Sequence, residues 1–215
     1  MEKSNNAISY FFLGFTIFAL FAFFKTYFGQ FPTFNNSITT VTHYHALTIV
    51  LWLAMLIVQP ILIRKKQFEW HRRIGKVSYV LMPLLILGLL MIVHQEQSRE
   101  KNLAVFAANL LDIPVLIILY GLAMFYRKNT PYHVRFILLT IVPFVGPATA
   151  RLHIDALPIN IVYMASLLII EYFIRKIYKP YLIGIGLFLT DLFVVIYLFL
   201  INPTLLEKIW SLFWG

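Results

Sequence analysis

Residues Thr42–Gly75 read THYHALTIVLWLAMLIVQPILIRKKQFEWHRRIG. The stretch is one long apolar run interrupted by single polar residues, then a short basic turn, then the opening of a second run. His45, Trp52 and Gln59 are spaced seven apart. On an α-helix a seven-residue step drifts by only about 20°, so the three share one face. A membrane helix carrying such a stripe turns it toward protein groups and away from lipid.

The rest of the chain has the same character. Of its 215 residues 60% are hydrophobic and 13% charged, with a mean hydropathy of +0.80. Ordinary soluble domains carry about 25% charged residues, so this composition specifies an all-α polytopic membrane protein. The absence of cysteine excludes disulfides, thiolate metal ligands and cysteine nucleophiles, leaving His, carboxylate or backbone oxygen to hold any metal. The formal charge of +9 comes from basic residues in short loops between apolar runs. There it reports topology and attracts anionic headgroups of the bilayer, with no implication of nucleic acid. No small-residue cleavage site follows the first apolar run, so that helix is expected to stay in the mature protein.

Crossing a hydrocarbon core of about 30 Å takes about 20 apolar residues. Seven stretches reach that length, near Ala7 to Phe28, His45 to Ile63, Gly75 to His94, Leu103 to Tyr126, Val134 to Arg151, Pro158 to Phe173 and Tyr181 to Ile201. No soluble insertion or repeat interrupts them, so residues 1–215 are expected to form a single seven-transmembrane-helix bundle. Arg64, Lys65, Lys66, Arg72, Arg73 and Lys76 follow the second run, Arg127, Lys128 and Arg135 the fourth, and Arg175, Lys176 and Lys179 the sixth. With Lys3 they place 13 of the 18 basic residues on one side. The positive-inside rule then puts the N-terminus inside and the C-terminus outside. The terminal Trp210 and Trp214 suit an interfacial anchor.

Ionisable groups inside membrane helices cost about 2.5–3.5 kcal/mol on insertion scales, which makes each one a functional candidate. In the outer half fall His45, His94, Asn109, Asp112 and Arg151, with His153 just beyond. His45, His94, Asp112 and His153 are the expected ligands of a metal ion such as Zn, Fe or Cu, while Arg151 would neutralise Asp112 or bind an anion. A structural Asp–Arg pair with hydrogen-bonded histidines is the plainer alternative. His94 lies about 140° around its helix from His71, so those two cannot face one neighbour. His43 is expected in an exposed loop.

On the inner side, Gln59, His71, Arg72 and Arg73 accompany His133 and Arg135. His71 and His133 open the third and fifth helices and could hold a b-type haem or a metal; snorkelling basic residues are the alternative. His133, Thr140, Pro147 and Arg151 form a stripe along the fifth helix, where Pro143 and Pro147 predict a kink and a path for solute or protons. Glu171 precedes Arg175 by four residues, the spacing of a helical ion pair. Asp191 has no partner in its own helix and is expected to face the bundle interior or to pair across helices.

The pattern H-A-L-x5-W-x6-Q, H-R-R-I-G, N-L-L-D and H-V-R-F-I-L-L-T-x6-G-P-A-x2-R-L over Thr42 to Leu152 resembles a widespread uncharacterised family of bacterial multi-helix membrane proteins. The resemblance implies that His45, Trp52, Gln59, His71, Arg72, Gly75, Asp112, His133, Arg135 and Arg151 are the recurring polar positions; it implies no activity. A looser likeness is to cytochrome b561-type haem proteins, which pair histidines at the starts of alternate helices. His71 and His133 match one such pair, and the fourth helix has no histidine for a second.

Three functions are compatible with these residues. The favoured one is a metal- or single-haem-binding protein with a redox or metalloenzyme role. The second is a transporter or small-ligand-binding bundle using Asp112 and Arg151. The third is a non-catalytic accessory or assembly subunit of a membrane complex, or a homo-oligomer. All three place the chain in the bacterial cytoplasmic membrane.

Overall fold

The computed structural model describes residues 2–173 and 177–215, with side chains from residue 8 onward. Among the described residues the chain is all-helical, 83% helix with no strand. In chain order the helices are α1 (Glu2–Ala22), α2 (Thr40–Arg64), α3 (Phe68–Arg99), α4 (Leu103–Phe125), α5 (Thr130–Leu139), α6 (Val142–Arg151), α7 (Ala156–Phe173), α8 (Lys179–Ile196) and α9 (Pro203–Trp214). Six spans are long and apolar enough to cross a membrane: α2, α3, α4, α5 with α6, α7, and α8 with the π-helical turn Tyr197–Ile201 that continues it. The described part of α1 contributes a shorter apolar helix, Ile8–Ala22. The chain is an integral membrane protein by these lengths.

The residues form two compact units, Met1–Gln95 and Glu96–Gly215. In the first, α1 packs against α2. Helix α2 starts at Thr40, earlier than its apolar run, because Thr39 and Thr42 cap each other: Thr39 Oγ1 accepts from Thr42 N at 3.4 Å and Thr42 Oγ1 from Thr39 N at 3.3 Å. Such reciprocal caps satisfy donors that a helix start otherwise leaves open. His43 is therefore in the first turn of α2, not in an exposed loop; it is half-buried, 2.8 Å from Tyr27 Oη and edge-on to Phe34. Burial pushes the Tyr27 hydroxyl up from its ordinary pKa, which keeps it a donor.

Helix α3 also starts earlier than expected, at Phe68, so the HRRIG motif lies within its first turns. The turn before it ends α2 through Lys66, whose φ is 56°, with Lys66 N bonded to Ile63 O at 3.0 Å and Gln67 N to Leu62 O at 2.9 Å. This is a Schellman closure at a position that glycine usually fills. Helices α2 and α3 approach closely at Gly88, where a Cβ would sit 3.2 Å from Tyr44 Cε1 and 3.4 Å from His45 Cα. Tyr44 Oη donates to Leu84 O at 2.8 Å beside this contact. Small residues at such crossings let membrane helices pack by van der Waals contact.

In the second unit Asn102, Asn129 and Asn202 cap α4, α5 and α9 through their side-chain oxygens. The fifth span, Thr130–Arg151, is the most buried of the six, and it is divided into α5 and α6. At Thr140 and Ile141 the ladder tightens toward i−3 bonds, with Thr140 N still 3.2 Å from Phe136 O and Ile141 N 3.3 Å from Leu138 O, just before Pro143, whose missing N–H cannot serve Leu139 O. Two hydroxyls add to these bonds: Thr140 Oγ1 donates to Ile137 O at 2.6 Å, and Tyr163 Oη of α7 donates to Leu138 O at 2.8 Å. The expected kink is thus a tightened two-residue turn between α5 and α6, supported by a hydroxyl of another helix. Helix α9 lays Leu206 against Phe106, Ala107 and Leu198. Trp210 Nε1 donates to Gln97 Oε1 at 3.1 Å and Trp214 Nε1 to Ser98 Oγ at 3.0 Å, with the two indoles stacked.

Tyr163→Phe removes the donor that serves this turn while keeping the ring. It is expected to lower stability by about 1–2 kcal/mol, read as an earlier thermal unfolding midpoint in detergent. An unchanged midpoint contradicts this account of the turn.

Candidate functional site

The first unit brings together Gln59 of α2 and His71 of α3. Gln59 Oε1 accepts from Gly75 N at 3.1 Å, which turns its amide nitrogen toward His71, where it donates to His71 O at 3.3 Å and to His71 Nδ1. Nδ1 is then the acceptor nitrogen of the neutral ring, and Nε2 carries the proton. Trp52, between the two layers of α2, is buried to 1% exposure. His45 is half-buried beside the Gly88 crossing, and His94 is exposed near the end of α3.

The second unit holds an ion pair at the start of α5. Arg135 Nε donates to Glu171 Oε1 of α7, Arg135 Nη1 donates to Pro131 O at 2.8 Å, and Tyr178 N donates to Glu171 Oε2 at 2.6 Å. The side chains are 15% and 2% exposed. The guanidinium also lies 3.6 Å from the Tyr178 ring centroid and 5.6 Å from that of Tyr181, close enough for cation–π attraction. Both carboxylate oxygens are satisfied, so the group reads as a structural clasp of α5, α7 and the start of α8. Arg175, the expected partner of Glu171, lies outside the described residues, as does Lys176. His133 Nδ1 is 2.8 Å from Ala123 O of α4. A carbonyl can only accept, so this nitrogen carries the proton and the histidine ties α4 to α5.

Two of the expected outer residues have local structural roles. His153 has φ of 56°; His153 N bonds to Ala150 O at 3.2 Å and Ile154 N to Thr149 O at 3.0 Å. It is the left-handed residue that closes α6, and its side chain is exposed. Asn109 Nδ2 donates to Val105 O of its own helix at 2.8 Å. Arg151 Nη2 stands 3.7 Å from Glu96 Oε1, with both side chains about two-fifths exposed. The expected Arg151–Asp112 pair is not formed. Among the described residues no three His, Asp or Glu side chains are grouped to hold a metal ion, so the expected set of His45, His94, Asp112 and His153 is not assembled.

Asp112 is instead one wall of a cavity of about 230 Å³ bounded by α4, α6, α7 and α8. Asn160 and Asp191 line it with Asp112, and Asp155 lies at its loop end. Asn160 is 8% exposed, and its Oδ1 and the Oδ1 of Asp191 are buried with no hydrogen-bond partner among the described residues. The salt bridges Arg73–Glu69, Lys101–Glu207, Arg135–Glu171 and Arg151–Glu96 leave out Asp112 and Asp191. Val142 and Gly146, just past the turn in the fifth span, complete the wall. Buried oxygens left without partners are costly.

Asn160 is the residue the sequence reading missed. A signal was present: it is a lone amide in the run ALPINIVYMASLL. Comparison with protein-family models, curated proteins and solved structures finds no match for this chain.

Two substitutions check these assignments. Glu171→Ala strands a buried guanidinium and is expected to cost about 3–5 kcal/mol, whereas Glu171→Leu combined with Arg135→Met is expected to cost clearly less; equal losses contradict the clasp. His153→Gly relieves a left-handed backbone and is expected to stabilise the protein by about 1 kcal/mol. A ligand role for the imidazole predicts the opposite, a lower unfolding temperature in the presence of metal.

Proposed function

We propose that this chain is a membrane carrier that binds a small solute in the cavity between Asp112, Asn160 and Asp191. The observation that carries the reading is a half-open cavity of about 230 Å³ between α4, α6, α7 and α8, two of whose lining residues, Asn160 and Asp191, each hold a buried oxygen with no protein partner among the described residues. Polar groups at membrane depth are tolerated where they face protein or a water-filled cavity, and they mark substrate and ion pathways. The turn that divides the fifth span into α5 and α6 next to Pro143 supports the same reading. Membrane helices interrupted at proline build the binding sites of many carriers.

The expected metal or haem role is the weaker reading, because the cavity offers carboxyl and amide oxygens and no imidazole. In the proposal α1 crosses the membrane as the first of seven helices, the N-terminus faces the cytoplasm, and the membrane is the bacterial cytoplasmic one. The loop around Asp155 then opens on the outer side, and the Arg135 clasp lies on the inner side.

The chain contains no cysteine, so single cysteines report access without a background. Gly146 lines the cavity, while Gly186 is exposed on the outside of α8; at both, an added Cβ meets nothing within 4 Å. In membrane vesicles a charged, impermeant thiol reagent is expected to label Gly146→Cys faster than Gly186→Cys. Equal or slower labelling of Gly146→Cys overturns the carrier reading.

A further inference from the structure

The lining of the cavity narrows its ligand. Of its twelve residues only Asp112, Asp155, Asn160 and Asp191 bring side-chain oxygen; the others are glycine or apolar, among them Phe188 and Leu192. No Lys, Arg or His lines it. Its ionisable lining is three carboxyl groups with no basic residue to offset them, so a ligand that would pair with an ionised carboxylate there is positive. Asp155 Oδ1 already accepts from Leu157 N at 3.0 Å in capping α7. That leaves Asp112, Asp191 and the Asn160 Oδ1, which is buried and without a partner among the described residues.

The kind of cation follows from what the walls lack. Zinc, copper and iron favour imidazole or thiolate, and none is present. A calcium ion takes about 6–8 oxygen ligands, more than three side chains on mostly apolar walls supply. A primary ammonium needs few acceptors, since it has three N–H donors, and a hydrocarbon tail would suit the remaining surface. At about 30 Å³ for each water-sized group, the cavity of about 230 Å³ accommodates a molecule of about seven non-hydrogen atoms. The Phe188 ring adds a π-face of the kind that attracts alkylammonium groups.

We propose that the cavity is a binding site for a small organic cation, an alkylammonium whose charged end sits between Asp112, Asp191 and Asn160 and whose chain lies along Phe188 and Leu192. The proposal rests on the carrier reading and names the class of its solute.

The test uses the full chain in detergent, with n-butylammonium chloride as probe and n-butanol and sodium chloride, at matched ionic strength, as comparisons. n-Butylammonium is expected to slow labelling of Gly146→Cys and to raise the unfolding temperature of the unsubstituted protein, and the two comparisons are not. Asp112→Asn or Asp191→Asn is expected to weaken the n-butylammonium effect about tenfold. Equal protection by n-butanol makes the cavity a neutral apolar pocket, and equal protection by sodium makes it an inorganic cation site. Either result overturns the proposal while the carrier reading stands, because Gly146→Cys is still labelled. No effect of n-butylammonium on the unsubstituted protein also overturns it, whatever the variants do. Failure of Gly146→Cys to label at all overturns the carrier reading itself.

Discussion

The buried pair of Arg135 and Glu171 is the interaction on which the second unit depends. One carboxylate with both oxygens occupied links α5, α7 and the chain entering α8. Two charges withdrawn from water repay that cost only when geometry and further hydrogen bonds are complete. Here the Pro131 carbonyl takes a second guanidinium N–H, and the guanidinium lies 3.6 Å from the Tyr178 ring centroid and 5.6 Å from that of Tyr181. With that end of the helices held, the other end is free to be less regular. Asn160 stands eleven residues before Glu171 on α7, about 16 Å along the helix axis, so the clasp and the cavity occupy different depths of one unit.

The cavity lies beside the turn in the fifth span. Thr140 and Ile141 tighten the helical ladder there, Thr140 Oγ1 and Tyr163 Oη add hydrogen bonds to its carbonyls, and α6 restarts on Val142 with prolines in its first turn and interior. Val142 and Gly146 of α6 border the void. Glycine and alanine at positions 146, 108 and 156 leave that void unfilled. Three polar side chains from three different helices then meet at it, which no single segment of the chain could arrange.

Much of the architecture is legible in the sequence because the bilayer sets it. Run length against bilayer thickness locates the six long spans, and the seven-residue spacing of Trp52 and Gln59 marks the face of α2 that meets protein. Gln59 and His71 are expected in one polar layer by position, and they are bonded. What is not legible is what depends on backbone geometry or on contacts between distant segments. Lys66 and His153 close helices in left-handed conformations without the glycine that signals such a turn, so His153 looks like a ligand when only its residue type is known. The early starts of α2 and α3 come from a threonine cap and a polar first turn that a hydropathy reading passes over. Glu171 meets a cation 36 residues away, and Asp112 meets Asp191 and Asn160 instead of Arg151. Asn160 was visible as an isolated amide, but its significance comes from the carboxylates that other helices bring to it.

The central claim is that Asp112 of α4 and Asp191 of α8 face one shared, accessible cavity. The most direct measurement is bridging of an Asp112→Cys/Asp191→Cys double variant by a short bifunctional methanethiosulfonate, followed by mass spectrometry of the intact chain. The account predicts one reagent joining both thiols, with no such bridge when Asp112→Cys is combined with Leu200→Cys on the exposed surface. Two separate adducts at positions 112 and 191, with no bridge between them, would contradict it.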